Sequence, residues 1–186
     1  MKTGAVWIAS VLAFGWATAS PAAEPVAEPP AFRVDDYRSP TPATLSGAAV
    51  IDTAAAKRLF DEKAAVFVDT LPRAPKPKGL PAGTLWRPKP RADIPGSIWL
   101  VDTGYGDLAP VMEQYLRDGL ERATKGDKAR ALVFYCLRDC WMSWNAAKRA
   151  VFLGYSGVNW YPDGTDGWVE AGLPLEPREP EARPDE

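Results

Sequence analysis

Short apolar runs alternate with amphipathic segments through the middle of the chain. The runs that fit buried strands are 48–51, 65–69, 98–101, 131–135 and 158–161. The segments that fit helices are 54–62, 107–124 and 142–153. Because strands that alternate with helices need crossover connections, this pattern predicts an α/β fold. We expect a mostly parallel central sheet with helices on both faces.

Local signals mark where these elements begin and end. Asp52 or Thr53 can cap the first helix by accepting hydrogen bonds from its free N–H groups. Gly154 follows the third helix and fits a left-handed cap. The segment 71–91 is rich in Pro, Lys and Arg and predicts irregular structure, with its basic residues in a solvated loop. The segment 163–167 fits a turn.

The two ends of the chain differ from the middle. Residues 1–19 have the positive start, apolar run and Ala-x-Ala pattern of a secretory signal peptide, with cleavage after Ala19, Ala22 or Ala23. Residues 20–47 are rich in Pro and Ala and predict a linker or an arm along the domain surface. Residues 176–186 predict a solvated polar tail. No second apolar run is long enough to cross a membrane, so we expect a periplasmic protein without membrane insertion after cleavage.

Composition removes several kinds of chemistry. The chain has no histidine, which excludes a Ser-His triad, a Cys-His dyad and histidine-ligated metals. Its two cysteines cannot complete a four-cysteine zinc site. A net charge of -2 argues against nucleic acid as a partner. We therefore expect no bound cofactor and no resident metal of these kinds. The two cysteines remain as the candidates for chemistry.

The two cysteines lie where a buried strand is predicted to turn into a helix. Cys136 ends the strand and Cys140 lies inside the following loop. Ligands of parallel sheets bind beyond the carboxyl ends of the strands. Because the N–H groups of a starting helix favour an anion, we expect the pKa of Cys136 to fall below that of a free thiol. Arg138 would assist this and Asp139 would oppose it.

Four segments, in this order and spacing, resemble the rhodanese-like domains. They are Val66-Phe67-Val68-Asp69, Asp93-Ile94-Pro95-Gly96-Ser97, Val133-Phe134-Tyr135-Cys136 and the stretch from Gly164 to Pro174. The resemblance places such a domain at 48–175. Cys140-Trp141 and the residues after it resemble a narrower group, the exported rhodanese-like CXXCW motif proteins associated with PQQ-dependent alcohol catabolism. This chain reads C-x-x-x-C-W at that point.

The resemblance implies that Cys136 is a persulfide carrier. Cys140 is a departure from ordinary rhodaneses and is a second candidate catalytic thiol. The residues predicted to line the substrate pocket are Leu137, Arg138, Asp139, Trp141, Met142 and Asp69. Asp139 and Trp141 replace the residues that shape the anion cradle of ordinary rhodaneses. Thiosulfate:cyanide sulfurtransferase activity is therefore not the expected reaction. Trp141 is predicted to be functional, whereas Trp99 and Trp160 fit core packing.

Three interpretations of the cysteine pair stay open at this point. Cys136 can accept sulfur or another thiol, with Cys140 resolving the product. The pair can form a structural disulfide, as nearby thiols do in an oxidising compartment. The thiolates can also bind a soft metal such as Cu(I).

Two functions of different classes follow. The first is persulfide transfer or thiol–disulfide exchange with a small sulfur or thiol donor. From the resemblance alone, this activity would support a PQQ-dependent alcohol oxidation system, one of whose periplasmic proteins would be a partner. The second is a non-catalytic periplasmic binding or assembly factor that contains a Cys136–Cys140 disulfide or a Cu(I)–thiolate site.

Overall fold

The computed structural model describes residues 25–74, 77–87 and 89–183. The predicted signal peptide, the first residues of the predicted arm and the last three residues of the predicted tail lie outside this part. Within it, no helix is both long enough and apolar enough to cross a membrane.

Five parallel strands form the central sheet. They are β1 (Ala49–Val50), β2 (Val66–Asp69), β4 (Ile98–Trp99), β5 (Leu132–Tyr135) and β6 (Val158–Trp160). Their order across the sheet is β1-β6-β5-β2-β4, and every pair is parallel. The predicted α/β architecture is therefore confirmed. The order places β5 in the centre of the sheet.

Helices cover both faces of this sheet. They are α1 (Thr53–Asp61), α2 (Pro110–Thr124), α3 (Trp141–Phe152) and α4 (Gly164–Glu170). Successive residues of β5 point to opposite faces. Val133 packs in a core cluster with α1 and α4, whereas Phe134 packs in a second cluster with α2 and α3. This burial on both faces explains why the strands read as continuous apolar runs.

The predicted ends of the helices agree closely with the structure. Asp52 caps α1 by accepting a hydrogen bond from the Ala55 N–H at 2.8 Å. Gly154 follows α3 with φ +85°, the left-handed conformation expected there. Helix α2 begins at Pro110 rather than at Asp107, since proline favours the first helical position, where no N–H partner is needed.

Three elements were not predicted. A two-stranded antiparallel sheet joins β3 (Arg91–Asp93) to β7 (Glu176–Arg178). Helix α4 replaces the turn predicted at 163–167. Its two glycines disfavour helix, but tertiary packing holds it, because Trp168 is buried against Phe60 and Phe67.

The predicted solvated tail is wrong for residues 176–183. Besides β7, the Glu181 N–H donates to the Trp99 carbonyl at 2.9 Å, and the Glu181 carbonyl accepts from the Tyr115 hydroxyl at 2.8 Å. Arg183 forms an ion pair with Asp102 at 2.5 Å. The polar composition of this segment predicted a tail in solvent. Its contacts with the domain are also polar, and they join residues that are far apart in the sequence, so composition does not reveal them.

Residues 25–47, called the arm below, lie against α3. Asn145 of α3 accepts a hydrogen bond from the Arg33 N–H at 2.9 Å and donates one to the Arg33 carbonyl at 2.8 Å. The Trp144 indole donates to the Thr44 carbonyl at 3.1 Å, and Leu45 is buried in the core. The arm thereby passes over the N-terminal half of α3, where the cysteines lie.

Candidate functional site

The two cysteines meet where the central strand turns into α3. Cys136 directly follows β5, and Cys140 is the N-cap residue of α3. Both are in the thiol form and almost fully buried, with exposures of 0% and 2%. They form a small cluster with Met142, against which Leu137 and Tyr37 pack.

Polar groups of α3 surround the Cys136 sulfur. Its Sγ lies 3.2 Å from the Ser143 hydroxyl oxygen and 3.4 Å from the Cys140 carbonyl oxygen. The Trp160 indole of β6 donates to the same Ser143 oxygen at 3.1 Å. The sheet and the first turn of α3 therefore fix this thiol from two sides.

The two thiols differ strongly in acidity. Burial raises the pKa of Cys136 well above its ordinary value, and the neighbouring Cys140 raises it further. The pKa of Cys140 is lowered to about 6, chiefly because the Cys136 thiol donates a hydrogen bond to its sulfur. The Met142 N–H at the start of α3 and the Arg38 guanidinium lower this pKa further, against the effect of burial.

The predicted direction of the Cys136 pKa is therefore wrong. The physical argument, that a starting helix favours a thiolate, applies to Cys140 instead, because Cys140 occupies the N-cap position. Cys136 lies one loop earlier, directly after β5, where burial raises the cost of charging the sulfur. The lowered pKa of Cys140 and the raised pKa of Cys136 therefore make Cys140 the more acidic thiol of the pair.

Backbone contacts also hold Cys136. Its carbonyl oxygen accepts hydrogen bonds from the Thr165 N–H at 3.0 Å and the Arg91 guanidinium at 3.5 Å. Gly164 lies so close that a Cβ atom there would be 2.5 Å from that oxygen. The start of α4 thus fixes the position of the cysteine loop.

Asp69, predicted as a pocket residue, belongs to a buried charged cluster behind the cysteines. Arg91 Nε lies 2.7 Å from an Asp69 oxygen and 2.8 Å from an Asp93 oxygen, and both carboxyl groups are fully buried. Burial, together with the Asp69 charge, raises the pKa of Asp93 to about 8. Asp93 therefore keeps its proton to a higher pH than an ordinary aspartic acid does. The sequence predicted that Arg91 lies in a solvated loop, and this prediction is wrong.

Two predicted pocket residues, Arg138 and Asp139, point away from the thiols. The Arg138 guanidinium makes two 2.6 Å hydrogen bonds to Glu170 and one of 3.2 Å to Asp163. Its expected assistance to the thiolate is wrong, because these carboxylates hold it on α4. Asp139 is exposed and has φ +52°, so it forms the left-handed turn that leads into α3.

Trp141, predicted to be a functional loop residue, is the first residue of α3 and is buried. Its ring packs edge-on against Trp144, with centroids 5.3 Å apart, and belongs to the core between the sheet and α2. Trp99 and Trp160 are buried in the core as predicted. Leu137 and Met142 do lie beside the cysteines.

Sequence reasoning missed several residues that contact the site. These are Tyr37, Arg38, Arg91, Asp93 and Ser143. Ser143 could have been found, because it lies one helical turn after Cys140. Arg38 had no sequence signal, because it lies in a Pro-rich segment far from the cysteines along the chain.

No metal centre is evident in the described ranges, which contain no group of three or more His, Cys, Asp or Glu side chains arranged to hold an ion.

No family model and no curated protein matches the sequence. The fold is similar to that of the 30 kDa polysulfide-sulfur transferase homodimer from Wolinella succinogenes, at 17% identity and a TM-score of 0.43 over 72% of this chain and 82% of that one. It is also similar to an uncharacterized protein from Saccharomyces cerevisiae, at 24% identity and a TM-score of 0.40 over 68% of this chain and 95% of that one. We interpret the site from its own geometry, since similarities at this level carry no functional argument.

The geometry is that of an asymmetric dithiol. A thiolate is the nucleophile in sulfur and disulfide chemistry, and here it lies at a helix start. The adjacent neutral thiol can donate a proton or, once deprotonated, attack a sulfur bound to the first.

Proposed function

We propose that this chain is an exported rhodanese-like protein that transfers sulfane sulfur through Cys140, with Cys136 as the partner thiol. One observation carries the proposal: Cys140, a thiol of lowered pKa, lies at the N-cap of α3 beside a second buried thiol. That arrangement suits a nucleophile with an adjacent resolving group. It assigns the first attack to Cys140, whereas the sequence alone favoured Cys136.

The reaction begins with attack by the Cys140 thiolate on the outer sulfur of a persulfide or thiosulfonate anion. A new S–S bond forms on Cys140, the S–S bond of the donor breaks, and the electron pair leaves with the donor thiolate or sulfinate. The Cys140 persulfide then passes its outer sulfur to an acceptor thiolate, which restores Cys140. Cys136 stabilises the resting thiolate by its hydrogen bond throughout.

The setting of this reaction is also a proposal. The predicted signal peptide at 1–19 supports export to the periplasm. The resemblance of the cysteine segment to CXXCW motif proteins supports a place in a PQQ-dependent alcohol oxidation system. The partner would be a periplasmic protein of that system, and the sulfur source a small anionic donor.

The test is the intact mass of the reduced mature protein before and after incubation with a polysulfide donor. We expect a gain of one sulfur atom, located on Cys140 by peptide mapping. Cys140→Ser should abolish the gain, and Cys136→Ser should retain it. A sulfur located on Cys136 would reverse the assignment of the two thiols. No gain in the wild-type protein would overturn sulfur transfer.

A second candidate function is a non-catalytic periplasmic assembly factor. Exposures of 0% and 2% for the two cysteines favour it, because a structural pair needs no access. A double Cys136→Ser, Cys140→Ser variant separates the two functions. An assembly factor that does not depend on a disulfide would support alcohol oxidation in cells as well as wild type does, whereas a sulfur carrier would lose that support.

A further inference from the structure

A cavity separate from the cysteine site lies between α2, the second half of α3 and the arm. Its volume is about 170 Å³. Four apolar side chains line it: Phe32 of the arm, Leu116 of α2, Phe152 of α3 and Leu153. Arg149 of α3 also lines it, and two exposed residues of α2, Glu113 and Arg117, complete the lining.

Arg149 is a buried cation whose hydrogen bonding is incomplete. Only 5% of its surface is exposed. Its Nη2 donates to the Gly106 carbonyl at 2.5 Å, and its guanidinium carbon lies 4.1 Å from the centre of the Phe32 ring. Its Nε and Nη1 atoms are buried and have no hydrogen-bond partner among the described residues. These two atoms carry three of the five N–H groups of the side chain.

The charge of Arg149 has no close counter-ion in the part of the chain that the structure describes. Glu113 lines the same cavity, yet none of the ion pairs between described residues involves Arg149. A buried charge is costly unless it is paired, and unsatisfied buried polar groups are rare in native proteins. The guanidinium is therefore suited to an anion that the chain itself does not supply.

The lining and the size of the cavity indicate the class of this anion. Guanidinium groups form strong charge-assisted hydrogen bonds with carboxylates. The apolar side chains around Arg149 favour an anion that also has an apolar part over a fully hydrated inorganic ion. A protein cavity of about 150 Å³ accepts benzene. A volume of about 170 Å³ therefore suits one ring or a short branched chain.

We propose that this cavity binds a small carboxylate with one ring or a short branched chain. Arg149 binds the carboxylate, and Phe32, Leu116 and Phe152 enclose the apolar part. Since Nε and Nη1 are covered from solvent, the carboxylate reaches them once the half-buried Phe32 side chain turns aside. Arg149 lies nine residues after Cys140, about 13 Å further along α3. Binding here requires neither thiol and is independent of the proposed sulfur transfer.

The experiment follows the leucine methyl signals of the mature protein by NMR during titration with benzoate, benzamide and sulfate. We expect benzoate to shift the signals of Leu116 and Leu153 in a saturable way. Benzamide, which has the same shape but no charge, should bind about ten-fold more weakly, because the charge-assisted hydrogen bonds to Arg149 are lost. Sulfate should bind more weakly than benzoate, because it fills no apolar volume.

Substitutions of Arg149 test its role directly. Arg149→Met removes the guanidinium and keeps a long apolar side chain, so it should weaken benzoate binding about ten-fold and leave benzamide binding unchanged. Arg149→Lys keeps the charge and should retain part of the preference for benzoate. Arg122→Met, which removes an exposed arginine of α2 outside the cavity, is the matched control and should bind as wild type. Melting curves check that each variant folds, and the comparison of benzoate with benzamide on wild type needs no variant.

The outcomes that would overturn the proposal are distinct. Without a saturable shift at Leu116 and Leu153, the cavity is not a ligand site. Equal affinities for benzoate and benzamide, or unchanged benzoate binding by Arg149→Met, would overturn the role of Arg149. Equal affinities for sulfate and benzoate would overturn the apolar part of the ligand. The sulfur gain on Cys140 is measured separately by mass, so failure of either proposal leaves the other standing.

Discussion

At the scale of single residues, the acidity of each cysteine follows from its place on the backbone. Cys136 and Cys140 are four positions apart and equally buried, but only Cys140 lies at the N-cap of α3. There the start of the helix lowers its pKa against the effect of burial. Burial alone would raise both pKa values, so the position at the helix start decides which thiol is the more acidic.

Gly164 is the residue whose substitution should disturb the cysteine loop most directly. It has φ +53°, and a Cβ atom there would lie 2.5 Å from the Cys136 carbonyl oxygen. We expect Gly164→Ala to lower the free energy of unfolding by about 1–3 kcal/mol, from backbone strain and steric overlap. Thermal melting measures this as a fall of about 3–10 °C.

Gly172→Ala is the matched control for this substitution. Gly172 also has a left-handed backbone, with φ +73°, but no atom lies within 4 Å of its would-be Cβ. It should therefore cost only the conformational strain, about 1 kcal/mol. Equal losses in the two variants would mean that the close approach of Gly164 to Cys136 has no energetic consequence.

The residues of the site could be predicted from the sequence only where they are close together along the chain. Cys136, Cys140, Leu137 and Met142 lie together because a strand, a loop and a helix follow one another along the chain. Arg38 reaches the same site from the arm, and no periodicity reports such a contact. The direction in which Arg138 points could not be predicted either, because it depends on carboxylate groups at the unpredicted α4.

At the scale of elements, β2 and β3 bring two buried carboxyl groups to one guanidinium. Asp69 ends β2, and Arg91 and Asp93 belong to β3. The raised pKa of Asp93 means that the folded protein holds a proton there which the unfolded chain releases near its ordinary pKa of about 3.9. The stability from this proton is fully present below that pH and is lost as the pH rises through about 8.

Asp93→Asn should remove this dependence on pH, because the amide keeps the shape of the carboxyl group and cannot lose a proton. We expect the melting temperature of wild type, relative to that of the variant, to fall as the pH rises from 6 to about 9. The variant is needed as a reference because Cys140 also makes stability depend on pH. Its lowered pKa makes the folded protein more stable as the pH rises from about 6 to 8.5, which is opposite to the effect of Asp93. Parallel curves for the two proteins would show that Asp93 does not retain a proton in the folded state.

Most elements were predictable, and the exceptions share one cause. The buried strands and the helices with strong apolar faces appear in the sequence as local patterns. Strand β3 and strand β7 are each three residues long and pair across more than eighty positions. Neither has an alternating or continuous apolar pattern, so their pairing exists only through tertiary contacts.

At the scale of the whole molecule, both terminal segments of the described chain pack on the domain and reach the site from opposite sides. The arm lies over α3, and its Tyr37 packs against the cysteines. The segment 176–183 pairs with β3, which places Arg91 beside the Cys136 carbonyl. Composition predicted a linker or a surface arm for the first segment and a solvated tail for the second. The tail prediction fails because prolines and charges dominate that segment, and its packing depends on backbone hydrogen bonds and an ion pair.

Removal of residues 176–186 should therefore affect both stability and the site. The truncation deletes β7, the contacts of Glu181 with Trp99 and Tyr115, and the ion pair between Arg183 and Asp102. The loss should be on the order of 3 kcal/mol, since the buried partners are left without hydrogen bonds. We expect a lower melting temperature and faster reaction of both cysteines with a thiol reagent, because β3 no longer holds Arg91 at the Cys136 carbonyl.

A chain that ends at Arg183 keeps all these contacts and should behave as wild type. If the longer truncation lowers stability but leaves the thiol reaction rates unchanged, β3 supports the fold without supporting the site.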